Sequence, residues 1–350
     1  MVLQSTDLLL QTHLYQQHQD IGAKFSPFAG YNMPLWYTTL KKEHLAVRSD
    51  VGMFDIGHMG VLRLSGPTAF ADLQRLSCND VVKTHSAKMV YSMILNQNGG
   101  ILDDVMIGRW GDDYLIIVNA SNTVKIMAWF RNHIQGTTQL TCLNSDYALL
   151  AIQGPDAIDI LVKHINHGIA NIKRFGIETI SDLIVMRTGY TGEEGVELLI
   201  PVDQVIFIWQ QLIQAGVIPC GLAARDSLRL EKGLPLYGQE LSEEITPLMT
   251  RYQWVIDWSH DFIGKNTLLE AKKVTFKTTV GIKMESRHIP RQNYLIKEGG
   301  YITSGTLSPS LNEPIAMAIV NKEHAPIGTQ LTIDIRGNDC HGSVVEVPFI

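Results

Sequence analysis

Two adjacent aspartates, Asp103 and Asp104, lie inside the apolar run Ile101-Leu-Asp-Asp-Val-Met-Ile107 rather than in a loop. The run has the length and composition of a β-strand, and side chains alternate across a strand, so the two carboxylates face opposite sides. Each is then embedded among apolar neighbours on its own face. A carboxylate in that setting is costly unless it is paired or used chemically. Two readings follow. In one, one Asp is a turn residue close to Gly100 and the other is ion-paired. In the other, at least one is a working carboxylate in a site.

The surrounding pattern places this strand in an α+β unit. Tyr91 to Leu95 and Ile101 to Ile107 form two strands around Asn96-Gln-Asn-Gly-Gly100, a hairpin signal. Val61 to Leu64 and Tyr114 to Asn119 are further strands. Helices are expected after Gly66-Pro67 and from Asn122 to His133. Upstream, Leu8 to Asp20 reads as helical, and Pro27, Gly30 and Pro34 forbid a long regular element between Phe25 and Leu35. Downstream come a strand at Ala148 to Gln153 and a helix after Gly154-Pro155-Asp156. Strands at Leu183 to Met186 and Val196 to Ile200 flank the turn Gly189-Tyr-Thr-Gly-Glu-Glu-Gly195. Asp203 is placed to cap the helix carrying Ile206, Trp209 and Ile213. Another helix spans Gly221 to Lys232 and ends at Gly233 with Pro235 beyond. Past Lys273 short strands broken by Gly and Pro dominate, which reads as an all-β domain of barrel or sandwich type.

Glu197 is a second carboxylate in an apolar strand, sharing a face with Leu199. It fits either a surface position or a bidentate partner for a ring bearing an amino group beside an N–H. Arg225 and Arg229 lie one helical turn apart, with Lys232 extending their face. They form either a solvated stripe or a site for an anionic substrate. Other chemistries lack their motifs. Gly189, Gly192 and Gly195 do not have dinucleotide-loop spacing, and Gly264-Lys-Asn-Thr267 is not a P-loop. His164 and His167 have no third ligand nearby, and Cys78, Cys142, Cys220 and Cys340 are too dispersed for a thiolate zinc site or a disulfide framework. They read as reduced thiols of a cytoplasmic protein. A net charge of −6 offers nucleic acid or anionic membrane no attractive field. The uncharged stretch Val205 to Ala224 contains Pro219 and several Gln, and reads as a helix and turn rather than a membrane span. The N-terminal residues lack the features of a signal or transit peptide. With 350 residues, 45% of them apolar, the chain is expected to form two or three folded domains.

Several segments resemble the aminomethyltransferase (T-protein) family of the glycine cleavage system. They are Phe28-Ala-Gly-Tyr-Asn-Met-Pro34, Met53-Phe-Asp-Ile-Gly-His-Met59, Gly99-Gly-Ile-Leu-Asp-Asp104, Gly189 to Glu197, Gly221 to Glu231, Pro235-Leu-Tyr-Gly-Gln-Glu240, Thr303 to Pro309 and Val347-Pro-Phe349. They occur in the family's order along nearly the whole chain. The resemblance implies an α+β three-domain cloverleaf of antiparallel sheets flanked by helices, with a C-terminal barrel or jelly-roll-like β domain. Residues 1–50 and 137–272 would form a discontinuous folate-binding domain, 51–136 a second domain carrying Asp104, and 273–350 the third. It implies transfer of a methylene carbon from an aminomethyl-lipoyl arm of the carrier (H) protein to tetrahydrofolate, with release of ammonia and without a metal or nucleotide. By matching position, Asp104 is the catalytic carboxylate and Glu197 clamps the pterin ring. Met59, Tyr91, Asn119, Tyr190, Arg225 and Trp254 match other folate-pocket positions.

The sequence departs from the family pattern in places. Gly57 replaces a usual Ser before His58-Met59, a change expected to loosen that turn. Lys173-Arg-Phe175 replaces Lys-Pro-Phe, and no pocket aromatic is assigned there. Thr250-Arg-Tyr-Gln-Trp254 replaces a Gly-rich run, and the sequence ends at Ile350, short of a tail found in longer members. Two other functions share the fold. One is a folate-dependent demethylase acting on another methyl donor. The other is a non-catalytic folate-binding protein of iron–sulfur maturation, which carries a Cys where this chain has Leu234.

Overall fold

The computed structural model describes residues 9–274 and 276–350. Three larger sheets organise the chain. A six-stranded sheet has the order Ile177–Ile180, Leu183–Met186, Gly195–Pro201, Tyr147–Gln153, Gly52–Asp55 and Ile218–Pro219. It is antiparallel except for its last pair. A five-stranded antiparallel sheet has the order Met89–Leu95, Ile101–Trp110, Asp113–Val118, Gly60–Ser65 and Gln139–Cys142. The C-terminal strands form a second five-stranded antiparallel sheet, curled into a half-barrel. The α+β reading with a C-terminal β unit therefore holds. The sheets do not break where 51 and 137 would cut them. Gly52–Asp55 is bonded into the six-stranded sheet, and Gln139–Cys142 into the first five-stranded one.

Periodicity explains where the core sits. Val196, Leu198 and Ile200 turn one face of the six-stranded sheet to Leu161, Ile208, Trp209 and Leu212 of two helices. The opposite face presents Phe54, Leu149, Ile184, Met186 and Leu199. These pack against Val61, Met89, Leu115 and Ile117 of the first five-stranded sheet. Two sheets are thus joined through one apolar layer, as alternating strands require when both faces are covered. The far side of the five-stranded sheet is covered by the helices Ala69–Leu76 and Thr123–His133.

Several local expectations change. The first helix of the described residues is short, Tyr15–Asp20, and Leu8 lies outside them. The segment around Pro27 and Pro34 forms a small hairpin, Lys24–Phe28 with Tyr31–Trp36. Asp203 does not cap the helix Val205–Gln214; Gln204 holds the cap position with no side-chain bond. Gly233 does end the helix Leu222–Glu231, in the left-handed region at φ 63°. Among the described residues no helix is long and apolar enough to cross a membrane.

The C-terminal sheet is held to the rest by buried charge. Glu231 accepts bonds from Arg48, Ser308 and both the backbone and hydroxyl of Ser310, and lies 3.0 Å from His44 Nε2. Burial pushes its carboxyl up, but the bonds from His44 and Ser308 outweigh this and hold it below the usual carboxylate range. A depressed carboxylate contributes stability above its unfolded pKa, and that contribution is lost as pH falls through the folded value. Glu231→Gln is therefore expected to cost about 3 kcal/mol near neutral pH, because Arg48 loses its buried partner. The loss should shrink as pH falls below about 4. Thermal melts of both proteins across pH check this.

Candidate functional site

One cavity of about 330 Å³ opens where the apolar layer between the two sheets ends. Its size suits a small organic ligand. Met59, Tyr91, Asp104, Asn119, Tyr190, Glu197, Arg225 and Trp254 all line it. The structure thus brings together every residue singled out as a pocket position.

The Asp pair shows how the fold prepares this wall. Ile94 faces Asp103 while Leu95 faces Ile101, so Leu102 is the extra residue of a β-bulge. Beyond it, Asp103 shares the helix-covered face with Val105 and Ile107, and Asp104 shares the inter-sheet face with Met106. Pairing with the next strand begins only at Met106–Ile117. Asn119 fills the gap left at the strand end. Its backbone N–H and its side-chain amide donate to Asp103 at 2.9 and 2.8 Å, and the same amide donates to Asp104 at 2.8 Å. Asn122 adds a bond to Asp103 at 2.6 Å from the start of the helix Thr123–His133. Asp104 also accepts from the Tyr91 hydroxyl at 3.1 Å. Asp103 lies within a strand, not a turn, and has no ion pair among the described residues. It is fully buried among amide donors.

Burial raises the pKa of both carboxyls above the ordinary value. For Asp103 the neighbouring Asp104 charge adds to burial; for Asp104 the bonds from Tyr91 and Asn119 offset part of it. Asp104 is therefore a carboxylate poised to hold or accept a proton nearer neutrality.

Glu197 extends from the strand Gly195–Pro201 beside Met186 and Ala151, and accepts from Thr188 Oγ1 at 2.6 Å. It is half-buried and faces the cavity, not bulk solvent. Arg225 reaches the cavity with its guanidinium 4.7 Å from the centroid of Tyr190. Its neighbour Arg229 does not join it. Arg229 is buried and ties Glu240, Asp226 and Gln239 to Ser304 of the C-terminal sheet. The expected cationic face of Arg225, Arg229 and Lys232 therefore contributes only Arg225 to the cavity.

Aromatic groups complete the walls. Tyr91 packs 6.2 Å from both Tyr252 and Trp254. Tyr190 donates to the carbonyl of Pro235, and Tyr252 to that of Gly233. Trp254 and Phe175 remain 64% and 46% exposed at the rim. Phe175 of Lys173-Arg-Phe175, a run with no pocket assignment from sequence, is a wall residue. It lines the cavity in the left-handed region at φ 61°. Phe28, His58, Arg174, Arg187 and Leu234 to Tyr237 are further wall residues that sequence spacing did not mark. The turn before Met59 is tied down at Gly57. Asp55 Oδ1 accepts from Gly57 N at 2.8 Å, and Asp55 is held in turn by His18 and Thr12.

The two aspartates should respond differently to amide substitution. In Asp104→Asn the Tyr91 hydroxyl can rotate to accept from the new amide, so each bond survives. In Asp103→Asn the NH2 meets an N–H donor in either orientation, the Asn119 backbone at one oxygen and the Asn119 and Asn122 amides at the other. Asp103→Asn should thus cost about 1–3 kcal/mol, and Asp104→Asn little. A carboxyl with a raised folded pKa lowers stability as pH climbs from its unfolded to its folded value. Asp104→Asn should therefore gain on wild type from about pH 4 to pH 7, and denaturant melts at both pH values check it.

Comparison with known proteins gives consistent matches. Residues 14–260 match the GCVT N-terminal domain, and residues 277–350 match the glycine cleavage T-protein C-terminal barrel domain. An aminomethyltransferase of Halothermothrix orenii is 38% identical, over 97% of this chain and 99% of its own length. An aminomethyltransferase of Bacillus subtilis is 37% identical, over 98% and 99% respectively. The crystal structure of the glycine cleavage system aminomethyltransferase T from Bartonella henselae superposes with a TM-score of 0.93. It has 33% identity and covers 98% of both chains.

Proposed function

The chain belongs to the glycine cleavage T-protein family, and from that premise we propose that it is an aminomethyltransferase of the glycine cleavage system. It moves the methylene carbon of an aminomethyl-lipoyl arm, presented by a carrier protein, to tetrahydrofolate, and ammonia is released. The observation that carries this reading is the convergence of Asp104, Glu197 and Arg225 with a ring of aromatics on one cavity.

The donor set suits a pterin. A flat ring fits between Tyr91, Tyr190 and Trp254, and Glu197, braced by Thr188, offers two oxygens to an amino group beside a ring N–H. Tetrahydrofolate supplies the nitrogen that receives the one-carbon unit. Asp104 contributes a carboxylate with its pKa raised by burial, which accepts a hydrogen bond or a proton from that nitrogen. Its negative charge also stabilises positive charge developing on the transferred carbon. Tyr91 and Asn119 fix its two oxygens, so no reorganisation is needed when charge appears.

Leu234 separates this reading from a folate protein of iron–sulfur maturation. It lies in the cavity wall where that class carries a thiol. A demethylase acting on another donor is separated by an assay for ammonia and methylene-tetrahydrofolate from a carrier loaded with the aminomethyl group. No product from that carrier would end the proposal. Asp104→Asn should reduce turnover about a hundredfold to a thousandfold with the fold intact, whereas Asp103→Asn should affect stability more than rate. Equal rate losses would remove Asp104 from the chemistry. Glu197→Gln should weaken tetrahydrofolate binding about tenfold or more, with a smaller change in turnover at saturation. Calorimetry and steady-state kinetics on the same preparations measure both.

A further inference from the structure

His58 lines the cavity but has no place in the roles assigned above. Its side chain is almost wholly enclosed, with the residue 3% exposed. Nδ1 is buried with no hydrogen-bond partner among the described residues. The ring is nevertheless held in place. Phe28 and Tyr31 present T-shaped contacts at 5.5 and 6.4 Å between centroids, which fix the ring. The adjoining backbone is pinned as well. Gly57 N bonds Asp55, Met59 N bonds Ile56 O, and Asn144 Nδ2 donates to Met59 O at 2.7 Å.

Arg225 is in a similar position. It forms no ion pair with a described residue, and its guanidinium rests over the Tyr190 ring. Both His58 and Arg225 line this cavity. Burial, with the Arg225 charge added, pushes the His58 imidazole down to about 4. At neutral pH the ring therefore carries one N–H donor and one lone pair. Buried polar groups are nearly always bonded, so an unpartnered one on a cavity wall points to a partner that the cavity receives.

We propose that His58 is a further ligand-binding residue of this cavity, its ring N–H and the Arg225 guanidinium together taking an acceptor oxygen, carbonyl or carboxylate, of the bound molecule. The choice of probe rests on the folate reading above, since tetrahydrofolate carries oxygens of both kinds. Calorimetry with tetrahydrofolate on wild type, His58→Phe and His58→Gln tests it. His58→Phe removes both nitrogens and should weaken binding about tenfold, and His58→Gln, which restores an amide donor, should recover much of that loss. The effect should appear in the dissociation constant and KM, and kcat at saturation should change far less. A second measurement covers the case in which His58→Phe does not fold. In 15N-histidine-labelled wild type, tetrahydrofolate should shift the His58 ring nitrogens toward a single fixed tautomer.

Unchanged affinity in a folded His58→Phe, or unchanged His58 nitrogen shifts on saturation of the wild type, overturns the inference and leaves the folate reading intact. Failure of wild type to bind tetrahydrofolate at all overturns the folate reading, and this inference with it.

Discussion

The apolar layer between the two sheets is the constraint on which the rest of this structure depends. Phe54, Leu149, Met186 and Leu199 from one sheet meet Val61, Leu115 and Ile117 from the other, all essentially removed from water. Burial on this scale is the dominant favourable term in folding. It also fixes relative position, because side chains in such a layer pack at crystal-like density and leave little freedom to slide. The cavity begins where the layer stops. Its walls inherit their rigidity from strands anchored a few residues away, which is the support a preorganised site needs.

That arrangement explains the electrostatics. Asp104 follows from the same alternation that buries Met106, so its carboxyl is carried toward the inter-sheet space without choice. Water is scarce there, and the pKa rises. A single amide, that of Asn119, restrains both members of the Asp pair, and it is available because strand pairing ends just before it. Glu231 shows the opposite outcome. It is also buried, but it is surrounded by His44, Arg48 and serine hydroxyls and is held as an anion. Position in the fold thus separates a carboxylate kept available from one consumed in holding the C-terminal sheet. The same contrast divides Arg225 from Arg229. One turn of helix apart, the first reaches the cavity and the second is sealed among Glu240, Asp226 and Ser304.

Strand-borne carboxylates, helix limits near Gly66 and Gly233, and the change to short strands past Lys273 were legible because they rest on local chemistry: alternation, turn residues and caps. Asp203 was misread because a capping residue type does not fix which position the chain turns at. The role of Phe175 was hidden because a pocket aromatic is defined by what it faces, and its left-handed backbone leaves no signature in residue type. His58 was hidden for the same reason: nothing in Asp55-Ile-Gly-His-Met59 says that ring Nδ1 goes unbonded.

By itself the sequence determined that two carboxylates on one strand must face different surroundings, because the period of a strand is fixed by backbone geometry. It also determined, through motifs spread along the chain, the family and hence the α+β architecture with its C-terminal β unit. The resemblance pointed to Asp104, but the physical reason it faces the cavity lies in the tertiary structure: the bulge at Leu102 and the face of the strand that the second sheet covers. Only that structure decided that Arg225 reaches the cavity and Arg229 does not, that Glu231 is enclosed by donors and Glu197 faces the cavity, and that His58 Nδ1 has no partner among the described residues. Each of these is a statement about groups far apart in the chain, and such contacts are set by packing rather than by local preference.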